Sequence, residues 1–188
     1  MRIMRNVSNF LIRLSSPWIA ALFTLIFLVF SATVLPAQSA AAEAYTGPSG
    51  SPDLSFVYAP SDLYRMAEEY GAAGRAAYIR ARFTFDLAFP FVYGLFLISA
   101  IGWLVKKIGK TDGWLNYAPL LPVLAIIFDL IENAGAAVVV GRYPLFSPFA
   151  AGAAAVATPI KWICVGGSFL LLLVLLLFLF IRRIKRKM

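Results

Sequence analysis

Apolar residues gather along this chain in four blocks, at about 18–35, 84–105, 115–140 and 159–181. Each approaches or exceeds the roughly 20 residues that carry a helix across a ~30 Å hydrocarbon layer. The pattern predicts an all-α integral membrane protein, a four-helix bundle forming a single multi-pass domain over residues 1–188. The segment between the first two blocks, about 36–83, is polar enough to be an outward-facing loop with one or two short amphipathic helices.

Inside that loop, residues 37–60 are rich in Ala, Ser, Pro and Gly and read as turns, with 54–59 (LSFVYA) as a short strand or an extended stretch. The following PSDLYRMAEEYG predicts a helix capped by Ser61 or Asp62 and stopped at Gly71, with Leu63, Met66 and Tyr70 on one face. From Gly74 no breaker occurs before Pro90, so continuous helix from Arg75 to Lys107 would measure about 50 Å at ~1.5 Å per residue. That exceeds the hydrocarbon thickness, and a bend near Pro90 is expected. Thr158 and Pro159 supply a cap and a first position for the last span, with Lys161 and Trp162 as interfacial anchors.

The first block also has the basic approach and small-residue exit (PAQSAAAEA) of a secretory signal. Its apolar core of about 18 residues is longer than the ~7–15 usual for a signal, so a retained anchor is expected. FTFDLAF and IIFDLIE repeat Phe-Asp-Leu in the second and third blocks, without further matching residues to establish an inverted repeat.

Composition agrees: 61% of the 188 residues are hydrophobic and 14% charged, more apolar than a soluble domain of this size requires. The formal charge is +8, and its placement is informative. Arg2, Arg5 and Arg13 precede the first span, Lys106, Lys107 and Lys110 fill the link between the second and third, and Arg182, Arg183, Lys185, Arg186 and Lys187 end the chain. The positive-inside rule puts both termini in the cytoplasm, with a bacterial inner membrane as the expected location. Partners follow from this: the bilayer, anionic lipids at the cytoplasmic face, and no nucleic acid.

Histidine is absent and cysteine occurs once, as Cys164 in the last span, which removes imidazole catalysis, His or Cys zinc sites and an internal disulfide. No cofactor or metal is expected. The polar residues that stand out are Asp129, Glu132 and Asn133, at i, i+3 and i+4 of the third span. Asp129 sits roughly 16–21 Å from its inner end and Glu132 one turn closer to the outside, depths at which an exposed acid costs about 2.5–3.5 kcal/mol by insertion scales. These groups should therefore face other helices or water.

Asp86 and Tyr93 of the second span reach comparable depths if the two helices pack antiparallel, and Arg80, Arg82 and Arg142 lie toward the outer end. The expectation is an outward-open, carboxylate-lined cleft made by these eight residues, binding or transporting a small cationic or amphipathic ligand. Two other readings stay open: a non-catalytic assembly or regulatory subunit that meets another membrane protein, and a membrane enzyme using a carboxyl as acid/base on a lipid-like substrate. A purely structural alternative has Arg82 pairing with Asp86 and Asn133 bonding a neighbouring backbone.

Overall fold

The computed structural model describes residues 2–109 and 113–186. Among the described residues there is helix and no strand. Seven α-helices follow one another: α1 (Arg2–Leu14), α2 (Pro17–Thr46), α3 (Pro60–Glu69), α4 (Gly71–Arg82), α5 (Phe85–Ile108), α6 (Leu120–Arg142) and α7 (Pro148–Lys185). Among the described residues four stretches are long and apolar enough to cross a membrane: α2 with the turn after it, α4 with α5, α6 with the turn before it, and α7. Packing divides the chain into two compact units.

The first unit comprises residues 1–28, 92–125 and 163–188. Its N-terminal helix α1 has no counterpart in the sequence-derived elements, although Ile3, Met4, Val7 and Phe10 recur at helical spacing and remain exposed. The Ser8 hydroxyl donates to the Asn116 carbonyl, and Lys106 Nζ donates to the carbonyls of Arg13 (3.2 Å) and Ser15 (3.4 Å), satisfying groups at the end of α1. Phe27 and Phe96 stack at 4.7 Å, with Phe169 tilted against both.

The second unit comprises residues 29–91 and 126–162. Helix α2 continues through Pro36 to Thr46, where turns were expected, because Ala-rich sequence favours helix and no glycine intervenes before Gly47. Short 3-10 turns at Gly47–Ser49 and Pro52–Leu54 follow, and 55–59 contains no strand. The backbone N–H of Ala59 donates to Asp62 Oδ2 at 2.8 Å, which opens α3; the start is therefore organised by Asp62 from inside the helix. Gly71, at φ +61°, takes the left-handed conformation that separates α3 from α4. Leu63, Met66 and Tyr70 are buried in a core with Tyr58, Tyr78, Val139 and Val140.

Two boundaries depart from expectation. The break in the second span falls at Phe83–Thr84, between α4 and α5, while Pro90 lies inside α5. Its ring removes the N–H that would bond the carbonyl four residues earlier, that of Asp86. The last span begins at Pro148, so Thr158 and Pro159 are interior to α7; the Thr158 hydroxyl donates back to Ala154 O at 2.9 Å instead of capping.

Gly135 lets α6 and α7 approach, since a Cβ there would stand 2.7 Å from the Ala150 carbonyl oxygen and 3.0 Å from Ala154 Cβ. Backbone cannot yield as a side-chain tip can. Gly135→Ala should cost about 1–3 kcal/mol in spite of its better helix propensity, read as a lower thermal midpoint in detergent; an unchanged or higher midpoint would show that the helices separate freely.

Candidate functional site

The polar residues of α6 converge with two basic residues from α4 and α7 inside the second unit. On α6 the helical repeat puts Asp129, Glu132 and Asn133 on one face, and all three are buried. Asn133 is the junction. Its Nδ2 donates to Asp129 Oδ1 at 3.1 Å and to the Asp86 carbonyl at 3.0 Å, and its Oδ1 accepts from Arg82 Nη1 at 2.8 Å. The Asp86 carbonyl is available because Pro90 offers it no helical N–H.

Arg82 ends α4, where a cation complements the helix dipole, and its side chain is 3% exposed. Its guanidinium grips both oxygens of Asp53 as a fork, while Nε lies 3.3 Å from Asp86 Oδ2. The planar face covers the Tyr78 ring at 4.3 Å. Asp53 also accepts from Ser51 Oγ at 2.6 Å. Burial alone would raise the Asp53 carboxyl, but the charge and hydrogen bonds of Arg82 outweigh it and hold the group below its ordinary value of 3.8.

Because this folded-state value is depressed, the Asp53 contribution to stability is complete above the unfolded value and is lost as pH falls through the folded one. Thermal midpoints should drop on acidification below about pH 4, and Asp53→Asn should flatten that acid limb. An acid limb of the same depth in Asp53→Asn would remove Arg82–Asp53 as its source.

Lys161 forms the second centre. It sits in α7, 5% exposed, with its ammonium ion-paired to Glu132 Oε2 and 3.8 Å from Asp129 Oδ1. Helix α7 begins 13 residues earlier, roughly 20 Å along the axis, so Lys161 is no terminal anchor. Its neighbour Trp162 donates Nε1 to the Ser55 carbonyl at 3.1 Å, tying the 55–59 segment to α7. Glu132 is fully buried, and among the described residues no donor reaches its Oε1 in bonding geometry; the hydroxyl of nearby Thr158 is committed to Ala154 O. Burial first, and the adjoining Glu132 second, push the Tyr58 phenol above its usual range.

Of the sequence-derived residues, Arg82, Asp86, Asp129, Glu132 and Asn133 are therefore brought together. Tyr93 is buried in the first unit; Arg80 and Arg142 are exposed in the second. Sequence reasoning missed Asp53 and Lys161. The signal for Lys161 was its position two acids' worth of charge away from balance: an apolar α7 segment carrying one cation faces an apolar α6 segment carrying two acids. Asp53 lies in a turn-rich stretch where periodicity carries no information.

The network thus holds four carboxyl groups, of Asp53, Asp86, Asp129 and Glu132, and two cations, of Arg82 and Lys161. Side-chain exposure grades from 22% at Asp53 through 14% at Asp86 and 12% at Asp129 to 0% at Glu132. Among the described residues no cluster has the make-up of a metal site. These features define an all-helical protein with membrane-length apolar helices and a buried, acid-rich ion network. No protein-family model, curated protein or solved structure matches the chain.

Proposed function

We propose that this is a multi-pass inner-membrane protein whose four long helices cross the bilayer as a bundle, with both termini cytoplasmic, and that it binds a small cationic ligand at the acid-rich network. The supporting observation is the charge ratio: four carboxyl groups, those of Asp129 and Glu132 buried and those of Asp53 and Asp86 partly buried, share two buried cations. Full ionisation leaves an excess of two negative charges in a poorly solvated region, a state that bound protons or a cation relieve. Asp129 and Glu132 already hold one alkylammonium, that of Lys161, and the same oxygens suit the ammonium of a ligand. The exposure gradient gives such a ligand a direction of approach, from Asp53 toward Glu132. Basic residues on 1–13, 106–110 and 182–187 support the orientation.

The test is calorimetric titration of the purified full-length protein in detergent with methylammonium, ethanolamine and choline. Saturable binding should occur for at least one of them, tighten as pH rises from about 6 to 8, and weaken at least about tenfold in Asp129→Asn and Glu132→Gln. Absence of binding by the wild type to all three ends this reading. If the same two substitutions instead strip a membrane protein that copurifies with the wild type, the assembly-subunit reading replaces it.

A further inference from the structure

The chain's charge is divided unevenly between the units. By sequence, residues 1–28, 92–125 and 163–188 carry eleven basic residues and one acid, Asp112, whereas 29–91 and 126–162 carry six basic residues and eight acids. By sequence, acids outnumber bases in the second unit, and bases outnumber acids in the first.

Four of the first unit's basic residues line a groove between the C-terminal ends of α5 and α7. Trp103, Leu104, Leu176, Leu179 and Phe180 give it an apolar floor, and Lys107, Arg182, Arg183 and Arg186 supply its basic rim. The Arg182 guanidinium donates to the Ile108 carbonyl at 3.3 Å, closing one end by bonding the last turn of α5. Lys107 lies 4.4 Å from the centroid of the Trp103 ring, which holds its ammonium above the floor. Among the described residues no acid lines the groove.

A free phosphate would match the rim but leave the floor bare. An acyl chain alone would match the floor and leave the charges unanswered. We infer that this groove is a binding site for one anionic glycerophospholipid, its phosphate held by Arg183, Arg186 and Lys107 and an acyl chain lying along Leu176, Leu179 and Phe180. The inference rests on the membrane reading above but not on the ligand proposed for the acidic network.

Native mass spectrometry of the full-length protein in detergent, titrated with phosphatidylglycerol or phosphatidylcholine of identical chains, tests it. The first phosphatidylglycerol should bind about tenfold tighter than phosphatidylcholine at low salt. Arg183→Gln/Arg186→Gln/Lys107→Gln should abolish that preference, while the equally large charge removal Arg2→Gln/Arg5→Gln/Arg13→Gln should leave it. Equal losses in both triple variants overturn the groove in favour of diffuse electrostatics. Equal affinity of the wild type for both lipids, or glycerol phosphate binding as tightly as phosphatidylglycerol, overturns it as well. Failure to retain lipid of either kind overturns the groove and counts against the bilayer reading, leaving cation titration at Asp129 and Glu132 as a separate result.

Discussion

Arg82→Met is expected to destabilise the protein by about 3–5 kcal/mol, a fall of roughly 10 °C in thermal midpoint. The loss arises less from the attraction removed than from what remains. Asp53 and Asp86 keep their places with 22% and 14% of their side chains exposed, and lose the cation between them; Asn133 Oδ1 loses its donor. Arg82→Lys should recover only part of this, because an ammonium is a point charge that cannot grip both Asp53 oxygens while bonding Asn133 and facing Asp86. Thermal unfolding followed by circular dichroism in detergent measures both variants. A loss under about 1 kcal/mol for Arg82→Met would mean the carboxylates are hydrated, as surface pairs are.

The second large effect concerns Lys161. Lys161→Met takes the ion-paired ammonium from fully buried Glu132, and a loss of about 3–5 kcal/mol is again expected. Here a rescue separates charge from shape. Adding Glu132→Gln to Lys161→Met removes the uncompensated charge, and the double variant should be at least about 2 kcal/mol more stable than Lys161→Met alone. Additive losses would show that Lys161 acts through the packing of its stem along α7 and not through its ammonium.

The two centres differ in how much of them was legible. Asp129, Glu132 and Asn133 announce themselves because three polar residues at helical spacing in an apolar segment can be accommodated only on a sheltered face, and α6 turns that face inward. Arg82 and Asp86 were legible as an i, i+4 pair, and they lie 3.3 Å apart even though the helix breaks between them at Phe83–Thr84. Lys161 was misread because Thr158-Pro159 has the form of a helix start, which would leave a lysine two residues on near the interface. The start at Pro148 moves it into the interior. Pro90 misled in the same way: a proline marks a missing hydrogen bond, and α5 absorbs that loss through the Asn133 amide without ending there.

By itself the sequence determined the helical class, the four membrane-length segments, the asymmetry of charge, and the presence of an acid-bearing face on α6. All of these follow from hydropathy and a 3.6-residue period, properties that neighbours along the chain share. The tertiary structure decided which cation meets which carboxylate: Asp53 with Arg82, Glu132 with Lys161, and the Asn133 amide with the Asp86 carbonyl. Such pairings join segments remote in sequence, and their selection depends on where packed helices bring side chains within a few ångströms, out of reach of water that would otherwise make every pairing nearly equivalent.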